Sequence, residues 1–171
     1  MTESTVVAGL VIPSTSPLFV AIVALHVALS LACVATGMVA IVSPKRAGRH
    51  PRFGSTYYWL LVAIVITAST LSFMRWDEDR GLFALGLVSL IGATIGRSAR
   101  RGRWRGWIPL HIAGMGSSYV AMLIAFYVDN GKNLPLWRNL PSASYWLVPL
   151  AIGAPLIAYA IVRHARDEIA P

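Results

Sequence analysis

Five apolar runs dominate this chain, at about 18–42, 55–74, 81–96, 107–128 and 144–162, and their lengths suit a crossing of roughly 30 Å of hydrocarbon at 1.5 Å per residue. No interval between them is long enough for a soluble domain. Lipid offers the backbone no hydrogen-bond partner, so a spanning segment must satisfy its own amides, and Ala- and Leu-rich runs argue for helices over barrel strands. The expected fold is all-α: a polytopic membrane protein whose residues 1–171 form one transmembrane domain, a bundle of five transmembrane helices. Composition agrees, with 56% hydrophobic against 13% charged residues, a balance foreign to water-soluble domains.

Helix breakers set the edges. Pro13-Ser14-Thr15-Ser16-Pro17 opens the first run and Ser43-Pro44 closes it, since proline lacks an amide proton and disfavours helix in the residue before it. That run is longer than the apolar core of a signal peptide and follows Glu3 with no Lys or Arg, so it is expected to stay in the mature protein. The lone cysteine, Cys33, cannot form a disulfide within the chain and reads as a small core residue.

Net charge is +8, from 15 Lys and Arg against 7 Asp and Glu. In a soluble protein this would suggest a nucleic-acid partner, but the placement of the charges assigns it to topology. Lys45, Arg46, Arg49 and Arg52, then Arg97, Arg100, Arg101, Arg103 and Arg105, then Arg163 and Arg166 gather on one side. Arg75, Arg80, Lys132 and Arg138 fall on the other, diluted by Glu3, Asp77, Glu78, Asp79 and Asp129. Basic connections stay cytoplasmic, which predicts a multi-pass protein with an outside N-terminus and a cytoplasmic C-terminus, and no nucleic acid as partner. Tyr57, Tyr58, Trp104 and Trp107 mark the inner interface; Trp76, Tyr127, Tyr145 and Trp146 mark the outer one. Topology suffices to explain Arg97 to Arg105, with a lipid-headgroup role as a second reading. The connection from Asn130 to Ser144 reads as an ordered linker lying on the outer interface.

Apart from the histidines, no Asp, Glu, Lys or Arg falls inside a span, which argues against carboxylate-based pumps and weakens any hydrolase that needs a carboxylate base. His26, Ser30, Cys33 and Gly37 recur at helical spacing and should face neighbouring helices. On the fourth segment His111, Met115, Ser118 and Met122 do the same, beside Tyr119, Gly114 and Gly116. Gly92 and Gly96 form a small-residue pair that suits close helix packing. His50, His111 and His164 fall at one cytoplasmic depth, with His26 roughly 15 to 20 Å away and bonded to Tyr119 or Thr67. Imidazoles converging at one level can ligate haem iron, copper or zinc. The alternative is that His26 and His111 serve internal hydrogen bonds, His50 is solvated and His164 complements a helix dipole.

Several motifs together resemble the bacterial membrane proteins grouped as domain of unknown function 2306. They are Leu25-His26 followed by Gly37; Lys45; Arg49-His50-Pro51-Arg52-Phe53-Gly54 with Tyr57; His111-Ile112 with Met115 and Tyr119; Ala125-Phe126; Asp129-Asn130; and Gly153 to Ile157. In that family arginine often follows the loop histidine directly, whereas here Pro51 intervenes. The resemblance implies a small polytopic protein of a bacterial inner (cytoplasmic) membrane, draws attention to His26, His50 and His111, and supplies no activity.

Three functions compete. One is an accessory subunit of a larger membrane complex, docking through a small-residue face such as Gly92 to Gly96 on another membrane protein or a second copy. Another is a redox protein holding haem b or copper, with Met115 as a soft copper donor. The third is a zinc-dependent lipid-modifying enzyme. Candidate cofactor-binding residues are His111, His50, His26 and Tyr119; candidate metal ligands are His111, His50 and His164.

Overall fold

A computed structural model describes residues 5–7, 10–12 and 16–165. The Pro13 to Thr15 turn signal, Glu3 and Arg166 lie outside the described residues. Five long helices carry the fold: α1 (Pro17–Val42), α2 (Arg49–Met74), α3 (Trp76–Gly102), α4 (Trp107–Asn130) and α5 (Ser144–Ala165). Each is long and apolar enough to cross a membrane, so this is a polytopic helical membrane protein. A two-stranded antiparallel hairpin, β1 (Thr5–Val7) with β2 (Leu10–Ile12), precedes α1 and sets Val6 opposite Val11. The helical surface is apolar, as lipid requires: Leu31 of α1, Ile66 of α2 and Leu156 of α5 are each more than 60% exposed.

Two helices outrun their apolar cores. α2 begins at Arg49 rather than near 55, which places His50 in its first turn instead of in a loop. Pro51 is tolerated there because amides of a first turn have no intrahelical acceptor. α3 covers 76–102 rather than 81–96, with Asp77, Glu78 and Asp79 in its first turn and Arg100 and Arg101 in its last. Those charges suit the helix dipole at both ends. Hydropathy marks the part of a helix immersed in lipid, whereas backbone bonding continues into the headgroup layer. Arg75 alone separates α2 from α3, and its guanidinium pairs with Glu78 and Asp79.

The chain forms two compact units, Met1–Arg80 and Gly81–Pro171. In the first, α1 packs on α2 around Phe19, Cys33, Tyr57 and Leu61, all buried. The second has a core of Ala93, Ser118, Tyr119 and Ile124. α3 and α4 touch through glycine: a Cβ on Gly114 would stand 2.6 Å from the Gly92 carbonyl oxygen and 2.7 Å from the Gly96 nitrogen. Side chains are excluded where backbones approach so closely. α4 meets α5 where Gly116 faces Ile157 and Gly153 faces Val120. Pro149 and Pro155 lie inside α5 without interrupting it.

The connection after α4 is ordered by two single-turn 3-10 helices, Gly131–Asn133 and Trp137–Asn139. Trp137 stacks on Tyr127 at 3.9 Å between ring centres, and the Tyr145 hydroxyl donates to the Trp137 carbonyl at 3.4 Å. The linker is thereby pinned to the ends of both helices it joins.

Candidate functional site

In the first unit the polar stripe of α1 faces α2. The His26 ring nitrogen Nδ1 lies 2.8 Å from Thr67 Oγ1. The Thr67 hydroxyl itself donates to the Ile64 carbonyl at 2.9 Å, so its oxygen accepts and His26 Nδ1 carries the proton. One turn or two further along, Cys33 Sγ–H points at the Tyr57 carbonyl at 3.6 Å and Gly37 is buried. Thr67 is one of the two partners anticipated for His26.

His50 reaches back from the first turn of α2 to the end of α1, where its Nδ1 donates to the Ala40 carbonyl at 2.9 Å. Lys45 Nζ donates to the same oxygen at 3.2 Å and to Ile41 O. The last carbonyls of a helix have no intrahelical donor, so an imidazole and an ammonium complete the end of α1. Partial burial holds the Lys45 ammonium below the ordinary lysine value. Gly48, at φ 114°, reverses the chain so that α2 can return His50 to α1.

In the second unit His111 Nδ1 donates to the Gly96 carbonyl at 3.0 Å, joining α4 to α3. Two turns on, Ser89 Oγ donates to the Ser118 carbonyl at 2.8 Å and lies 3.2 Å from Ser118 Oγ, with both serines fully buried. The glycine crossing lies between these bonds. Small side chains let the helices approach, and the approach brings the polar groups within bonding distance.

His164 is half-buried in the last turn of α5. Gly116 against Ile157 and Val120 against Gly153 define an antiparallel register that sets His164 opposite about position 109, close to the depth of His111. The faces differ. At about 100° per residue, Gly116 and Val120 lie roughly 140° and 180° round α4 from His111, so α5 covers one side of α4 and His111 addresses α3 from the other. Tyr119 is buried on α4, and Met115 is half-buried, its backbone nitrogen 2.9 Å from where a Gly96 Cβ would stand. Among the described residues no three or more His, Cys, Asp or Glu side chains gather as a metal centre requires; zinc needs such a set.

Carbonyl oxygens only accept, so His50 and His111, like His26, carry a proton on Nδ1. Sequence reasoning missed the shared Ala40 carbonyl and the Ser89–Ser118 pair. For the latter a signal existed: Ser89, Ala93, Gly96 and Ala99, the buried residues of α3, recur at helical spacing.

Compared with family models, with curated proteins and with solved structures, the chain matches none.

Proposed function

We propose that this chain is an accessory protein of a larger membrane assembly, with histidines that clamp its helices together in place of doing chemistry. The observation that supports this reading is the common use of Nδ1: His26 binds α1 to α2, His50 completes the end of α1 from α2, and His111 binds α4 to α3. An imidazole spent in this way offsets the cost of placing it in lipid. The apolar exterior of the helices then offers a surface for another membrane protein or a second copy. Extraction into lipid nanodiscs followed by native mass measurement tests the proposal. A larger species of fixed stoichiometry is the expected result; recovery of one monodisperse chain overturns it.

A second reading is supported by the same Nδ1 bonds. A histidine that donates Nδ1–H to a carbonyl is oriented as metal-bound imidazoles are, with Nε2 as the ligand nitrogen. His111 would hold haem iron or copper, Met115 one turn away would add a soft donor for copper, and the bound group would supply one-electron chemistry. The residues fit in part, because His164 shares the depth of His111 but not its face. Visible absorption and metal content of the purified chain, repeated with His111→Ala, decide this. A Soret band or stoichiometric copper lost in the variant supports it, and neither signal in the wild type removes it. The likeness to the domain of unknown function 2306 proteins, an outside N-terminus and a bacterial inner membrane belong to the same proposal. They are carried by the histidine motifs and by the charge bias of the connections.

A further inference from the structure

The turn between α3 and α4 concentrates positive charge. Arg100, Arg101, Arg103 and Arg105 are all exposed, and no acidic residue occurs between Asp79 and Asp129. Among the described residues the ion pairs belong to Arg75, and none of them involves these four guanidinium groups. The turn is held by a hydrogen bond from the Trp104 amide to the Ala99 carbonyl at 3.2 Å, with left-handed conformations at Arg103 (φ 49°) and Gly106 (φ 71°). The Trp104 indole lies over Gly102, where a Cβ would come within 2.5 Å of Nε1. The Arg103 guanidinium stands 6.0 Å from the Trp107 ring centre.

Because α3 and α4 are both spans, this turn lies at a membrane face. We propose that it is a binding surface for the headgroups of anionic phospholipids. Guanidinium forks match phosphate oxygens two at a time, and exposed indole prefers the headgroup layer, so the turn presents both halves of an anionic lipid interface on one loop. Orienting the spans requires only a surplus of Lys or Arg and places no demand on their arrangement. The turn between α1 and α2 also carries exposed Arg46, Arg49 and Arg52, but it holds no tryptophan between Ser43 and Gly48, and its Lys45 directs its ammonium to the Ala40 and Ile41 carbonyls of the preceding helix. The surface is independent of whether the chain assists a partner.

The test uses the full chain in mild detergent, offered dioleoylphosphatidylglycerol or dioleoylphosphatidylcholine, with retained lipid counted by native mass spectrometry. Retention of the glycerol lipid should exceed that of the choline lipid about tenfold or more, and each arginine removed should reduce it by up to roughly fivefold. R100Q/R101Q/R103Q/R105Q should therefore erase the preference, and millimolar inorganic phosphate should leave wild-type retention intact. Removing four positive charges can disturb insertion, so R100K/R101K/R103K/R105K, which keeps the charge and loses the forks, is measured beside R46K/R49K/R52K. A larger loss in the first lysine variant supports the proposal. It is overturned if the wild type does not distinguish the two lipids, if the glutamine variant retains them as the wild type does, if phosphate displaces the lipid, or if the two lysine variants behave alike.

Discussion

Replacing Gly114 by alanine places one methyl group into a close approach of two helix backbones. Its Cβ would meet the Gly92 carbonyl oxygen at 2.6 Å, the Gly96 nitrogen at 2.7 Å and the Gly96 Cα at 2.8 Å. All three are backbone atoms, so no rotamer change relieves the clash, and α3 and α4 must part by nearly 1 Å to restore ordinary contact. That movement takes the Ser89–Ser118 bond, now 2.8 Å, and the His111–Gly96 bond, now 3.0 Å, to the limit of hydrogen bonding or past it. Overpacking costs about 1–3 kcal/mol, and each interhelical bond adds about 0.6 kcal/mol, so Gly114→Ala should destabilise by about 2–4 kcal/mol. Better helix propensity returns at most about 1 kcal/mol. Gly54 and Gly81 are helical glycines whose Cβ would meet nothing within 4 Å, so Gly54→Ala and Gly81→Ala should be neutral or gain up to about 1 kcal/mol. Unfolding by sodium dodecyl sulfate titration in mixed micelles, followed by circular dichroism, measures all three. If Gly114→Ala unfolds at the same detergent fraction as Gly54→Ala, the glycine crossing is not what joins α3 to α4.

Other outcomes follow from the same contacts. A double-mutant cycle of His26→Leu with Thr67→Val should give a coupling of about 0.6 kcal/mol and at most about 1.7 kcal/mol, and zero coupling would show that the bond contributes nothing. Gly153→Ala drives a methyl into Val120, at a cost of about 1–3 kcal/mol; adding Val120→Ala should restore most of it, whereas additive losses would deny the contact between α4 and α5. Ser89→Ala should cost about 1 kcal/mol by leaving the buried Ser118 carbonyl short of a donor, read in the same titration. Lys45 has a depressed folded-state value, so the unfolded chain binds its proton more tightly, and stability should rise with pH as Lys45 titrates below 10.5. Lys45→Met should flatten that rise, and an unchanged slope would assign it elsewhere.

How far the site could be read in advance differs from one residue to the next. The partner of His26 could be narrowed to Tyr119 or Thr67, because all three lie inside apolar runs, where depth follows from residue count and a polar side chain has few partners; the structure gives Thr67. The inward stripe of α1 was legible for the same reason, and Cys33 and Gly37 are buried as its spacing requires. His50 was not legible as a helix cap. Its role depends on α2 starting at Arg49, six residues ahead of the apolar run, in a segment whose charges and proline read as a loop. For α3 the apolar pattern located the middle and missed both ends, where charged residues continue the backbone bonding outside lipid.

Hydrophobic length and the side on which arginines fall are properties of the chain alone, because transfer into lipid depends on what each residue is and not on what it touches. Five spans and an apolar exterior therefore follow from composition and order. Which carbonyl an imidazole reaches depends on how helices rotate and cross. That is decided where Gly92, Gly96 and Gly114 let two backbones meet and where Gly48 turns α2 back on α1. Packing geometry of this kind arises only between elements, and it directs His111 to Gly96 and His50 to Ala40.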